Sequence, residues 1–274
     1  MRKRVYVALA VFLVAIGGVG VWQVLRLWEP VYQGRSLRVW LKQYGISRYS
    51  WYWLPGGTVE SGKQAETAIR QIGTNAIPTC LKMMTTRESP LKLKLLALVP
   101  QRWLDRFHMP SRYDYRILGA YGLIALGADE KSSVPALVAL LNDKDPGVRY
   151  PAVFALRSLG PVAGDALPSL INCLKDPEFA VQSDAILGLG EIRQEPERVI
   201  PILVKFLDEP QNPQHSIIIR ADAIWSLRQF GAQAKPAVLV LLRLLNDAHE
   251  GIRSDATNAL KAIDPEAAAK AGVE

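Results

Sequence analysis

The stretch Asp145-Pro-Gly-Val-Arg149-Tyr-Pro-Ala152-Val-Phe154-Ala-Leu156-Arg157-Ser-Leu159-Gly160 decides the fold. Asp145 ahead of Pro146 is a helix start: the carboxylate caps free backbone N–H groups, and proline fits a first turn that needs no donor. Arg149, Ala152, Leu156 and Leu159 stand at offsets 0, 3, 7 and 10, which lie along one face of an α-helix. Gly160 supplies the stop, because glycine adopts the left-handed conformation that ends helices.

Outward from this stretch the same pattern recurs. Arg116, Arg149, Gln182, Arg220 and Arg253 each open a helical run. Gly119, Ala152, Ala185, Ala223 and Ala256 follow three residues on, and their small size permits close helix approach. Leu123, Leu156, Leu189, Leu227 and Leu260 stand at offset 7, and Leu126, Leu159, Ile192, Phe230 and Ile263 at offset 10. A second series sets the period. Pro135, Pro168, Pro201 and Pro236 are spaced by 33, 33 and 35 residues, and each opens an apolar run expected to be a first helix. Each run then meets a turn holding aspartate: Asp143 and Asp145, Asp176, Asp208, and Asp247. Two helices per period of about 33 residues define a helical repeat stack, in which each unit buries its apolar face only against its neighbours.

Asp145-Pro-Gly-Val-Arg149 with Ala152 and Leu156, and Arg253-Ser-Asp-Ala256 leading to Leu260-Lys-Ala-Ile263, resemble HEAT repeats of the short bacterial type, similar to phycobilisome-lyase HEAT-like repeats. The resemblance covers 117–264 strongly and 62–84 more weakly, through Ala65, Ile69, Ile72-Gly73 and Pro78. It implies an all-α fold, an α-solenoid extending over 61–274 with an irregular insertion at 85–115. Within that insertion Leu91–Leu104 reads helical with Pro100 as a break, and Arg106–Asp114 reads as a polar loop. Residues 29–60 carry no repeat and are rich in aromatics, among them Trp40, Trp51 and Trp53, which suits a linker or a cap over the first repeat.

The N-terminus adds a separate element over 1–28. Met1–Arg4 carries a charge of +3, and Val5–Leu25 then runs 21 residues without a charge. A membrane span needs about 20 such residues. Trp22 and Trp28 stand where interfacial aromatics belong, and the basic start predicts an inside N-terminus with the repeats on the outer side. Two readings share this segment. An uncleaved transmembrane anchor explains why the apolar run continues through Val21, Trp22, Val24 and Leu25. A cleaved signal peptide would place its cut near Gly18-Val19-Gly20 and release the chain. Charge is unevenly spread: residues 5–116 carry +9 and residues 117–274 carry −5, within a net +7. A basic half beside the apolar segment favours anionic head groups or an acidic partner. Cys80 and Cys173 lie 93 residues apart, outside any CxxC or Cys/His cluster, and read as two buried thiols.

The sequence offers no catalytic, cofactor-binding or metal-binding residue. It contains no GxxxxGK[ST], GxSxG, HExxH or GxGxxG string. His108, His215 and His249 fall far apart in the repeat register. His249-Glu250 is a single pair, whereas the deoxyhypusine-type HEAT hydroxylases combine several to hold two metals. Export argues against a nucleic-acid partner, and no small-molecule substrate is evident. The expected role is therefore that of a non-catalytic scaffold for another protein. The resemblance also implies, as alternatives, a bilin-lyase-like HEAT enzyme or a purely structural spacer in the envelope.

One helix face outside the core carries a possible interface. Offsets 5 and 8 fall together away from offsets 3, 7 and 10. Offset 5 reads Tyr121, Phe154, Leu187, Trp225 and Asn258, and offset 8 reads Ile124, Arg157, Gly190, Arg228 and Lys261. Stacking aligns them into an apolar-aromatic row beside a basic row, the composition of a protein-binding groove. Tyr121, Phe154, Arg157, Leu187, Trp225 and Arg228 are the candidate partner-binding residues. The competing expectation is that offset 5 packs between neighbouring repeats. Asp184, Asp222 and Asp255 recur at offset 2; such a ladder of three acidic groups could bind a cation, but short acidic side chains more often bond nearby backbone N–H groups, which is the expectation here.

Overall fold

A computed structural model describes residues 29–49, 58–87, 112–127, 131–208 and 216–273. The apolar segment over 1–28, Trp51 and Trp53, and the helix expected over 91–104 lie outside these residues. Among the described residues no helix is long and apolar enough to cross a membrane. The chain divides into two compact units, residues 1–79 and residues 80–274.

The first unit begins with a ribbon that no periodicity in the sequence predicts. Strands β1 (Val31–Tyr32) and β2 (Arg35–Ser36) pair antiparallel. Gln33 and Gly34 between them have φ of 48° and 71°. Positive φ at both central positions is the mark of a type I′ hairpin turn, and the Gln-Gly pair supplies it. Helix α1 (Leu37–Tyr49) follows and packs on α2 (Val59–Ile72). Leu37, Trp40, Leu41 and Tyr44 are buried, so the apolar side of this segment is covered. The Trp40 indole donates to the Tyr32 carbonyl at 3.2 Å, and the Arg35 guanidinium sits 5.0 Å from the centre of the Trp40 ring. Helix α2 starts at a capping box, with the Thr58 hydroxyl accepting from Ser61 N and the Ser61 hydroxyl from Thr58 N. Helix α3 (Ile77–Met84) runs across the division between the units.

The second unit is the helical stack. Its helices are α4 (Arg112–Leu126), α5 (Val134–Leu140), α6 (Pro146–Leu159), α7 (Leu167–Cys173), α8 (Phe179–Ile192), α9 (Pro196–Asp208), α10 (Ser216–Gln229), α11 (Val238–Leu244), α12 (Glu250–Ile263) and α13 (Pro265–Lys270). The second helices of successive repeats, α4, α6, α8, α10 and α12, pack side by side, and each first helix packs on the second helix of its own repeat. Offsets 3, 7 and 10 of all five second helices are buried. Gly119 shows why offset 3 must be small, because a Cβ there would lie 2.5 Å from the Cys80 carbonyl oxygen.

Two expectations need correction. The helix that opens the stack starts at Arg112, whereas the polar run Arg106–Asp114 predicts a loop through Asp114. Residues 112–115 contain no proline or glycine to stop a helix, and the breaker Pro110 lies upstream in the sequence. Proline also opens fewer first helices than its spacing suggested. Pro135 and Pro168 stand in the first turns of α5 and α7. Pro201 instead lies inside α9, which starts five residues earlier at Pro196, and Pro236 lies in a 3-10 stretch ahead of α11. The cause is at the end of α8. Gly127, Gly160 and Gly231 end their helices with positive φ, whereas Arg193 takes that position in α8 and Glu195 follows with φ of 48°. No long 3-10 stretch intervenes there, and the chain enters α9 directly.

Aspartates of the turns join consecutive repeats. Asp145 caps α6 by accepting from Gly147 N at 2.9 Å and receives the Arg116 guanidinium at 2.8 Å. Arg149 grips both oxygens of Asp176 at 2.7 Å, while its Nη1 donates to the Asp143 carbonyl at 2.8 Å. Arg220 bonds Asp247, and that hydrogen bond holds the Asp247 carboxyl below its ordinary range. The series breaks at Gln182, which donates to the Leu174 carbonyl in its own repeat. Both cysteines are buried and free, and burial pushes their thiols up, Cys80 to about 12 and Cys173 to about 11. Neither supplies a thiolate at neutral pH.

Candidate functional site

The offset-5 and offset-8 side chains fall into two parts. At the upper end, Tyr121 and Phe154 meet edge to face with ring centres 6.0 Å apart, and Tyr150 stacks on Phe154 at 6.4 Å. Tyr121 and Phe154 are half-buried between α4 and α6. Lower down, the row opens into a pocket of about 300 Å³ lined by Arg157, Leu187, Ala221, Asp222, Ile224, Trp225, Arg228 and Asp255. Four helices contribute: α6 gives Arg157, α8 gives Leu187, α10 gives Ala221 to Arg228, and α12 gives Asp255. Four of the six candidate residues, Arg157, Leu187, Trp225 and Arg228, thus come together, while Tyr121 and Phe154 form a separate aromatic cluster. The basic row is not continuous. Gly190 occupies it at a crossing where a Cβ would lie 2.6 Å from Ser226 Cα. Ser226 is buried beside it and donates to the Ile186 carbonyl at 2.9 Å, tying α10 to α8.

The offset-2 aspartates do not bond local backbone as expected. Asp184 accepts from Arg157 Nη1 at 2.7 Å, and Asp222 accepts from the Ser183 hydroxyl at 2.6 Å, so both bonds reach to the preceding repeat. Their position explains the difference. Offset 2 lies past the turn, where the backbone N–H groups are already used by the helix, so the carboxylates find partners on the neighbouring helix. Burial raises the Asp184 carboxyl despite the Arg157 guanidinium, and one of its oxygens is buried without a hydrogen-bond partner. Burial likewise raises Asp222 to about 6, against the opposing effect of the Ser183 hydrogen bond.

A raised carboxyl in the folded state has a definite sign. Between about pH 4 and 6 the folded chain keeps the Asp222 proton that the unfolded chain has released, so stability falls as pH rises through that window. Above it the cost of holding a buried carboxylate is complete. Asp222→Asn is expected to raise the melting temperature at pH 7–8 and to flatten the fall between pH 4 and 6, as read by thermal melts across pH.

Ala221, Asp222, Ile224 and Asp255 were not among the candidate residues. Asp222 and Asp255 belong to the aspartate series at offset 2, but spacing alone does not place that series beside Leu187 and Trp225 in one pocket. Among the described residues no group of three His, Cys, Asp or Glu side chains is placed to hold a metal ion. His249 is the exposed N-cap residue of α12, with Glu250 exposed beside it.

This arrangement, paired helices stacked in register and joined by Arg–Asp contacts, defines a helical repeat protein. Residues 134–219 match the family of HEAT repeats, and the same register continues through α12. No curated protein matches the chain. Among solved structures, an engineered protein is 18% identical with a TM-score of 0.47, covering 86% of this chain and 97% of its own. The complex of CpcE and CpcF of phycocyanin lyase from Nostoc is 17% identical with a TM-score of 0.42, covering 69% and 96%. Human deoxyhypusine hydroxylase is 17% identical with a TM-score of 0.39, covering 84% and 98%. All three likenesses are loose, and no residue role follows from them.

Proposed function

We propose that this chain is a non-catalytic scaffold whose repeats bind another protein at the pocket formed by α6, α8, α10 and α12, and that its N-terminal segment tethers it to a membrane. The observation that carries the reading is the convergence of Trp225, Leu187 and Ile224 with Arg157 and Arg228 in one open pocket. Tryptophan and arginine are the residue types that dominate binding energy at protein interfaces, most of all where they sit in a pocket that excludes water. A spacer that served only to hold distance would need no such pocket. The tether rests on the uncharged run Val5–Leu25 behind a basic start, which orients the repeats to the outer, extracytoplasmic side. Cleavage of that segment would release the same binding module instead.

The test is capture from native membranes by crosslinking to the full chain. Trp225→Ala and Leu187→Ala are each expected to reduce recovery of the captured protein at least tenfold while the chain still melts cooperatively. Recovery unchanged in both variants would place the interface elsewhere.

A further inference from the structure

Resting on that reading, we infer that the pocket takes a lysine or arginine side chain of the partner, seated against Trp225 between Asp222 and Asp255. The charges lining the pocket decide its sign. Arg157 is already committed, since its guanidinium bonds Asp184 at 2.7 Å. Arg228 and Asp255 line the same pocket with no hydrogen bond or ion pair of their own among the described residues. Asp222 accepts a hydrogen bond only from the Ser183 hydroxyl, and the Arg157 guanidinium acts on it through space without bonding it. Two acidic groups against one uncommitted base leave the pocket short of one positive charge. A half-buried carboxylate without a cation is held at a cost, and an incoming cation relieves it.

The walls suit the same occupant. Trp225 lines the pocket, and tryptophan is the aromatic side chain that attracts a cation most strongly, while Leu187 and Ile224 can cover the methylene stem of a long basic side chain. At about 300 Å³ the pocket lies at the bottom of the range for small-molecule clefts, which is room for one side chain. Asp222 and Asp255 share offset 2 on the neighbouring helices α10 and α12.

The groups that face Asp222 also set the pH response. Asp184 and Ser183 approach from α8, Arg157 from α6, Asp255 from α12, and Arg228 stands on its own helix. Burial raises Asp222 to about 6, so it takes up a proton as pH falls below that value. Binding of a cation must then compete with that proton.

The experiment titrates the full chain, labelled with fluorotryptophan, with four probes: acetyl-Ala-X-Ala-amide in which X is Lys, Arg, Gln or Glu. The fluorine resonance of Trp225, assigned by its loss in Trp225→Phe, reports binding. The Lys and Arg peptides are expected to shift it saturably, at least tenfold more tightly than the Gln peptide, more weakly as salt rises and as pH falls from 7 to 5. Asp255→Asn, a substitution in a side chain with no bond to lose, and Asp222→Asn are each expected to weaken the Lys peptide at least fivefold with the melt intact. Tighter binding of the Glu peptide, abolished by Arg228→Gln, would overturn the inference and assign the pocket an acidic side chain. Equal binding of all four peptides, or of none, would also overturn it. Loss of partner capture in Trp225→Ala, with no basic peptide bound, would leave the scaffold reading standing and remove this one alone.

Discussion

Asp145→Ala is expected to cost about 3–5 kcal/mol of folding stability, the range for removing one member of a buried ion pair. Arg116 is 1% exposed, and its guanidinium bonds Asp145 on one side and the Thr86 carbonyl at 3.0 Å on the other. Alanine at 145 leaves that charge inside the stack with half its partners. It also removes the acceptor for Gly147 N, an N-cap worth about 1 kcal/mol. Asp145→Asn separates the two effects, because the amide still caps α6 but carries no charge to meet Arg116. Chemical denaturation of the three chains checks this. The asparagine variant is expected to fall between the other two, and equal stability of all three would show that the turn aspartates do not hold the repeats.

Gly190→Val carries the second large effect. A Cβ at Gly190 would lie 2.6 Å from Ser226 Cα and 2.8 Å from its Cβ and Oγ, so α8 and α10 must move apart to admit it. Overpacking of this kind costs about 1–3 kcal/mol, and a branched side chain belongs at the upper end. Ser226→Gly is not expected to rescue it, because the clash includes the Cα itself. The same displacement opens the wall beside Trp225, so partner capture is expected to drop even at temperatures where the variant stays folded. A melting temperature equal to that of the native chain would show that the two helices are not in such close contact.

These two positions show how far the sequence could be read. The repeat was legible because burial enforces it. The offset-3 and offset-7 residues are buried in the stack, so the same small or apolar residue recurs, and Gly119 under the Cys80 carbonyl is the clearest case. Gly190 was not legible. It sat in a row with Arg157 and Arg228 and looked like a gap in a basic stripe, whereas its reason lies in the approach of Ser226 from the next repeat. The hairpin at Gln33-Gly34 was missed because two-residue strands have no periodicity to detect. Pro201 misled for a related reason. Pro196 already opens α9 five residues upstream, so Pro201 falls inside a helix that has begun. The groove was half visible. Leu187 and Trp225 follow from offset 5 and Arg157 and Arg228 from offset 8, but the aspartates that give the pocket its charge belong to offset 2, whose partners are set by inter-helix geometry that spacing alone does not specify.

The most direct measurement places a photocrosslinking amino acid at single positions of the full chain in its native membrane. The positions are 187, 225 and 228 in the pocket, and 239, where Leu239 lies exposed on a first helix away from it. The scaffold account predicts one common adduct from the three pocket positions and none from 239. Adducts of equal yield from all four positions, or from 239 alone, would contradict it.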